Sequence, residues 1–241
     1  MSHSDLINCG QFFIEKSVIE NTYSTRRPLS AYLKKFEGLL QREINSKEIK
    51  HIVDFGAGEG VAAEELAQRT RHNITIITAK MEDKLEEANN FQIFRDRFFE
   101  QIENDELIEK FGKFDVVLDY WGVIAYTPAP GKVMVRLQEL CHEDCHILVH
   151  IHNSDASSLY NSVVKLRSGE EVSLPEWYKS QDGLNIRDYG DVFDITFDPQ
   201  KKFEPRELEL VSSKDYVLVP GFLGWKKKET RLPPVRIFKE K

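Results

Sequence analysis

The chain is short of the residues on which several function classes depend. It has three cysteines in 241 residues, an odd number that suits a reducing compartment better than a disulfide framework. No apolar run approaches the roughly 18 residues of a membrane span. The opening residues, Met-Ser-His-Ser-Asp, lack a basic segment followed by an apolar one. These absences predict a cytoplasmic protein with no membrane partner. A net charge of -7 is the wrong sign for a general grip on nucleic acid, which needs a dense basic face. Neither a P-loop nor a Ser-His-Asp elbow occurs, and no internal repeat or low-complexity segment interrupts the chain. Charge is not evenly spread along the chain, however. Residues 221–241 carry seven basic and two acidic side chains, and Lys226, Lys227 and Lys228 there would meet an acidic partner or form a solvated edge.

Hydrophobic residues at 41% and charged residues at 30% describe an ordinary globular chain, so a packed core is expected. Its most informative stretch is His51 to Gly60, His-Ile-Val-Asp-Phe-Gly-Ala-Gly-Glu-Gly. An apolar run at 52–55 is cut off by Gly56, Gly58 and Gly60, and a helical pattern starts at Val61. A strand that ends in glycines and opens a helix is a place where backbone can approach a ligand, since glycine tolerates positive φ and has no Cβ. The dinucleotide turn G-x-G-x-x-G needs its third glycine five places after the first. Here that glycine comes four places after, and Val61 stands at the fifth.

Strand and helix patterns alternate through the middle of the chain. Strands are predicted at 52–55, 73–78, 91–94, 113–118 and 146–151, and helices at 61–71, 81–90, 101–111 and 131–140. The apolar run at 113–118 suits a strand buried on both faces. Such alternation calls for a doubly wound, mostly parallel α/β sheet. Ahead of it, residues 29–44 carry apolar positions at helical spacing, and residues 1–20 read as a short helix, so 1–45 forms an N-terminal helical cap on a domain spanning 46–241. Beyond 153 a helix is expected at 157–167, and the polar stretch 169–190 reads as an insertion. Two of the four strand-like runs 192–197, 208–211, 216–219 and 235–238 would close the sheet.

The order D-x-G-x-G-x-G from Asp54 resembles motif I of the class I S-adenosylmethionine-dependent methyltransferases, and the resemblance covers roughly residues 48–152. It implies a Rossmann-like sheet with an antiparallel C-terminal addition, S-adenosylmethionine as cofactor, and methyl transfer to an unidentified small-molecule or protein acceptor. Asp54, Gly56, Ala57 and Gly58 would then lie along the methionine part of the cofactor. In an α/β sheet the ligand edge is the carboxyl end of the strands, so the residues after each strand complete the reading. Thr78 and Ala79 fall where the family carries an acid for the ribose hydroxyls. A neutral threonine acceptor there would weaken cofactor binding about tenfold, and leaves open a non-catalytic binding protein of the same fold. Asp96 and Arg97 match the position that reads the adenine edge. Asp119 and Tyr120 match motif IV, where methyl group and acceptor meet, but the sequence Asp-Tyr-Trp-Gly lacks the two prolines of the base-amine methyltransferases. Tyr120, Trp121 and Tyr126 would wall a sulfonium or an apolar substrate. Asp119, Tyr120 and Tyr126 are therefore the catalytic candidates. Tyr23, Arg26 and Arg27 would face the cleft from ahead of the leading helix.

Cys141, His142, Cys145, His146, His150 and His152 have the residue types of a zinc site. Histidines two apart along a strand stand roughly 6.6 Å from one another, too spread to share one metal without outside ligands. No metal is expected, although His150 and His152 end a strand at the ligand edge and would be placed to assist as a base.

Overall fold

The computed structural model describes residues 6–8, 12–15, 28–78, 85–95, 99, 102–120, 124, 130–150, 163–166, 171–190, 192–205, 208–209, 216–218, 225–227 and 238–239. Its centre is a seven-stranded sheet. The strands are β3 (His51–Phe55), β4 (Asn73–Thr78), β5 (Phe91–Arg95), β6 (Phe114–Asp119), β7 (Cys141–His150), β10 (Leu184–Asp188) and β11 (Val192–Phe197). They lie in the order β10-β11-β7-β6-β3-β4-β5. Pairs β3–β4, β3–β6, β4–β5 and β6–β7 are parallel, whereas β11 runs antiparallel to both β7 and β10. The five expected parallel strands are all present; β3, β4 and β6 are apolar runs buried on both faces, and β7 starts at Cys141, ahead of the expected 146.

Helices cover both faces. On one, α1 (Leu29–Lys35), α2 (Leu39–Ile44) and α3 (Val61–Arg69) bury Leu29, Tyr32, Phe36, Leu40, Ala63 and Leu66 against Ile52, Ile74, Val116 and Leu118. On the other, α4 (Asn104–Phe111), α5 (Pro130–Leu140) and α6 (Leu174–Lys179) bury Leu107, Met134, Leu137, Trp177 and Tyr178 against Val53, Phe55, Val117 and Ile147. Alternate residues of β3 thus serve opposite layers, and Asp54 shares its face with the α1–α3 layer.

Several segments differ from the sequence expectation, each for a local reason. The pattern at 29–44 forms two helices, broken at Gly38 with φ 83°, and the apolar stripe reads as continuous because both helices face the same sheet. Residues 85–90 are not helical. Ala88 and Phe91 exchange backbone hydrogen bonds of 2.9 and 3.1 Å across an Asn89-Asn90 turn. The Asn90 amide donates to Ala67 O, Thr70 O and His72 O, tying that turn to the end of α3. In place of a helix at 1–20 there are β1 (Leu6–Asn8) and β2 (Phe12–Glu15), joined by β15 (Phe238–Lys239). Within the expected helix 157–167, residues 163–166 form β8 (Val163–Leu166), which pairs with β9 (Glu171–Ser173) and β12 (Leu208–Glu209).

The stretch read as an insertion at 169–190 contributes β9, α6 and the edge strand β10. The antiparallel pair of the sheet is therefore β11, an expected strand, with β10, an unexpected one. As an edge strand β10 turns only Leu184 and Ile186 toward the core, and its other residues are polar. The remaining two candidates form β13 (Tyr216–Leu218), paired with β14 (Trp225–Lys227), and β15. At the opposite edge, the Ile93 N–H on β5 donates to Glu87 Oε1 at 3.0 Å, which occupies an edge group otherwise open to strand pairing.

The turn after β3 is fixed by sterics. Gly60 has φ 69°, and a Cβ there would lie 2.6 Å from Leu85 Cδ1 and 2.8 Å from Ile76 Cδ1. Gly38 also has positive φ, but a Cβ there meets nothing within 4 Å. Gly60→Ala is expected to lower stability by about 2–4 kcal/mol, combining overpacking with backbone strain. Gly38→Ala should lose only about 1 kcal/mol. Urea denaturation of the two variants checks the difference, and equal losses would contradict the packing described.

Candidate functional site

Three positive φ angles at alternate residues, 73° at Gly56, 59° at Gly58 and 69° at Gly60, carry the chain from β3 over the sheet edge into α3. The Gly56 N–H donates to Ile77 O at 3.0 Å, and Gly60 N–H to Ala57 O at 3.0 Å. Thr78, at the end of β4, donates its hydroxyl to Gly58 O at 2.9 Å and is buried. Its first task is therefore to hold the glycine turn in shape. Gly60 is the N-cap of α3 in the left-handed region and contributes no side-chain capping bond. Bare main chain is what this turn presents.

Asp54 stands one residue inside the strand end and is 1% exposed. Strand registers place it in one row with Leu118, Leu148 and Asp194 across β6, β7 and β11, so its neighbours in the sheet on that side are leucines. Tyr32 of α1 reaches down from the covering layer and donates its hydroxyl to Asp54 Oδ2. Asp54 Oδ1 is buried with no hydrogen-bond partner among the described residues. Burial raises the pKa of the carboxyl to about 7, and the Tyr32 hydrogen bond pulls the other way. A carboxylate oxygen buried in this way is costly unless something else donates to it.

Above that row the ring of Tyr120 lies 4.8 Å from Tyr32 and 5.7 Å from His150, centroid to centroid, and Phe36 closes on it edge-on at 6.0 Å. His150 Nδ1 is 2.8 Å from Tyr120 O. A carbonyl only accepts, so Nδ1 carries the hydrogen and Nε2 is the basic nitrogen of the ring. Asp119 is fully buried, and its Oδ2 accepts from Ile124 N at 2.8 Å. Tyr178 donates to Ile124 O at 3.2 Å, and burial followed by the nearby Asp119 charge pushes its phenol well above the usual range. Asp119 and Tyr178 together hold the chain that leaves β6. After β5, Arg136 of α5 donates to Phe99 O and Asn104 Oδ1, both at 2.9 Å, and to Ile102 O, with its guanidinium 4.0 Å from the Phe99 ring.

Of the residues expected from sequence, Asp54, Gly56, Ala57, Gly58, Thr78, Asp119 and Tyr120 gather at the carboxyl ends of β3, β4 and β6. Ala79, Asp96, Arg97, Trp121, Tyr126, His152, Tyr23, Arg26 and Arg27 lie outside the described residues. Sequence reasoning missed Tyr32, Arg136 and Tyr178. Tyr32 was visible only as one apolar position in the stripe 29, 32, 33, 36, and nothing in that spacing signals a hydroxyl aimed at a residue 22 places on.

The zinc-type residues are used otherwise. His146 Nδ1 lies 2.7 Å from Asp194 Oδ1, and its Nε2 lies 3.2 Å from an Arg42 nitrogen. Arginine only donates, so Nε2 accepts and Nδ1–H donates to Asp194. The histidine is thereby a strut between α2 and the sheet. Cys141 and Cys145 are buried thiols on the opposite layer. Among the described residues no group of three or more metal-ligating side chains converges.

No protein-family model matches the sequence, and no curated protein matches it. Solved structures do resemble it. A Streptococcus thermophilus protein provisionally described as a hemolysin is 14% identical over 72% of this chain and 67% of its own, with a TM-score of 0.42. The 1,6-didemethyltoxoflavin-N1-methyltransferase of Burkholderia thailandensis, solved with 1,6-didemethyltoxoflavin and S-adenosylhomocysteine, is 12% identical over 78% and 94%, with a TM-score of 0.38. The MycE methyltransferase of mycinamycin biosynthesis, solved with magnesium, S-adenosylhomocysteine and mycinamycin VI, is 12% identical over 71% and 49%, with a TM-score of 0.42. At such scores these likenesses do not define the fold; the strand order does. Parallel strands in the order β5-β4-β3-β6-β7, closed by a reversed β11 and then β10, with a D-x-G-x-G-x-G turn after the central strand, make this the class I methyltransferase fold.

Proposed function

We propose that this chain binds S-adenosylmethionine at the carboxyl edge of its sheet and transfers the methyl group to a small-molecule or protein acceptor. The observation that carries the reading is Asp54, a buried carboxylate with one oxygen held by Tyr32 and the other without a partner among the described residues, just before a turn of bare main chain. A primary ammonium fits that oxygen, because a charge-assisted hydrogen bond compensates the carboxylate's desolvation. The methionine end of the cofactor carries such an amine. The cofactor itself, when bound, supplies a methyl group on a sulfonium centre.

The protein's share is then to bind, orient and keep water out. The glycine turn and Thr78 shape the surface against which the cofactor would rest, with Thr78 and Ala79 at the ribose. Asp96 and Arg97, which follow β5 in the sequence, are proposed for the adenine edge. Asp119 holds Ile124 beyond the end of β6, and Tyr120 and Tyr126 are proposed to frame the meeting point of methyl and acceptor. In-line transfer is accelerated chiefly by held geometry, for which a buried aromatic stack is suited. His150, with Nε2 as its basic nitrogen at the same edge, is placed to take a proton from an acceptor hydroxyl or amine. A cytoplasmic location belongs to the same proposal; among the described residues no helix is long and apolar enough to cross a membrane. The basic segment 221–241 is proposed as a contact for an acidic partner.

Titration calorimetry at pH 8 tests the reading. S-adenosylmethionine and S-adenosylhomocysteine should bind at micromolar concentration and NADH should not; binding of none would make the chain a non-catalytic protein of this fold. Asp54→Asn should weaken S-adenosylhomocysteine binding about 10- to 100-fold, the size of a lost charged hydrogen bond. Its effect on stability has the opposite sign. The folded chain holds the Asp54 proton more tightly than the unfolded one, since the pKa is raised from 3.8 to about 7. Stability from this group is therefore full below about pH 4 and is lost as the pH climbs to about 7, by at most roughly 4 kcal/mol. Without ligand, Asp54→Asn should match the wild type near pH 4 and exceed it in urea midpoint at pH 8. A variant equally destabilised at both pH values would contradict the burial of an unpaired carboxylate.

A further inference from the structure

The contact between Tyr32 and Asp54 gives the covering helix a part in cofactor binding, an inference that rests on the function proposed above. We propose that Tyr32 is a positioning residue: its hydroxyl engages Asp54 Oδ2, leaves Oδ1 as the acceptor offered to the cofactor amine, and favours the charged form of that buried carboxylate.

The geometry leaves the hydroxyl little freedom. Tyr32 is 2% exposed, with its ring 6.2 Å from Phe36 and 4.8 Å from Tyr120, so a rotation away from Asp54 would have to displace packed rings. Helix α1 has only seven residues, too few to persist alone, and is held by tertiary contacts. One of these is Leu29 N–H donating to Glu65 Oε2 on α3 at 3.1 Å. Seating of the helix and delivery of the Tyr32 hydroxyl are one event.

The hydroxyl has one hydrogen, and giving it to a carboxylate favours the charged form. Burial favours the neutral form, and the balance puts Asp54 at about 7, within reach of physiological pH on either side. Titratable and charged groups on the surrounding elements include Lys34 and Lys35 on α1, Glu64 and Glu65 on α3, Asp119 and Tyr120 at the end of β6, and His150 on β7. Burial and Tyr32 are what shift Asp54, and among the described residues no basic side chain forms an ion pair with it. In the protonated acid a hydrogen competes for the carboxyl oxygens, and attraction for an ammonium is lost. Linkage runs both ways: the Tyr32 hydrogen bond favours the charged carboxylate that the cofactor amine needs, and the amine, by charging Asp54, strengthens that hydrogen bond.

Tyr32→Phe removes the hydroxyl and keeps the ring. Two measurements on the full chain read its effect: a ¹³C NMR titration of the Asp54 carboxyl without ligand, and calorimetry with S-adenosylhomocysteine at pH 7 and pH 8.5. The wild-type midpoint should fall near the value of about 7, and the variant midpoint about one pH unit higher. S-adenosylhomocysteine should bind the variant about fivefold more weakly than wild type at pH 7 and within about twofold at pH 8.5, where both carboxyls are largely ionised. The ratio cancels the ligand's own amine titration. A purely structural role would weaken binding equally at both pH values, and that result, or an unmoved Asp54 midpoint, overturns the proposal. A midpoint that moves as stated while neither protein binds S-adenosylhomocysteine overturns the positioning role and the cofactor reading together, yet leaves the Tyr32–Asp54 coupling intact.

Discussion

A carboxylate buried at the end of the central strand is the constraint from which the rest of this site follows. Asp54 lies in a row whose neighbours on β6 and β7 are leucines, under a layer of helices, with one hydrogen bond from Tyr32. Packing alone would place an apolar side chain there, as it does at Ile52 two residues earlier on the same face. An acid at this position burdens the fold while nothing donates to its second oxygen, and is relieved when a donor arrives. Stability given up at a site to be recovered on binding is the usual signature of a ligand-holding residue.

Around that carboxylate the structure is built to be stiff. The glycine turn is held to the end of β4 at two points, by Thr78 on Gly58 O and by Ile77 O on the Gly56 amide. Tyr32, Tyr120 and His150 form a stack across the ends of β3, β6 and β7, and the Asp119–Ile124–Tyr178 contacts fix the chain that leaves β6. Two of the three helices covering the Asp54 face are also tied down, α1 through Glu65 and α2 through the Arg42–His146–Asp194 strut. A reaction that depends mainly on alignment asks for this kind of frame rather than for a reactive side chain. That agrees with a sequence that has neither a P-loop nor a Ser-His-Asp elbow.

Much of the fold was legible because its signals are local. Apolar runs at 52–55, 73–78 and 113–118 mark strands buried on both faces, and three glycines mark the turn. The segments that misled carry patterns that two structures share. The stripe at 29–44 fits one helix or two facing the same sheet, and only the φ of Gly38 decides. The polarity of 184–188 fits a loop or an edge strand with one face in solvent, and only pairing with β11 decides. In the site, motif residues were found because they adjoin the glycine turn in sequence. Tyr32 and Tyr178 were not, since each acts through a hydroxyl on a residue 22 or 54 positions away, and periodicity counts both only as bulk. Thr78 was found for its position, but its hydrogen bond to Gly58 O, a contact within the protein, needed coordinates to be seen.

The central claim is that the second oxygen of Asp54 awaits a cationic donor at the edge of the sheet. A crystal structure of the protein grown with S-adenosylhomocysteine tests it most directly. The expected result is the ligand's amine nitrogen about 3 Å from Asp54 Oδ1, its chain lying along Gly56 to Gly58, and Tyr32 still on Oδ2. Density for the ligand elsewhere, or an Asp54 Oδ1 satisfied by the protein's own groups with the cleft closed over it, would contradict the account.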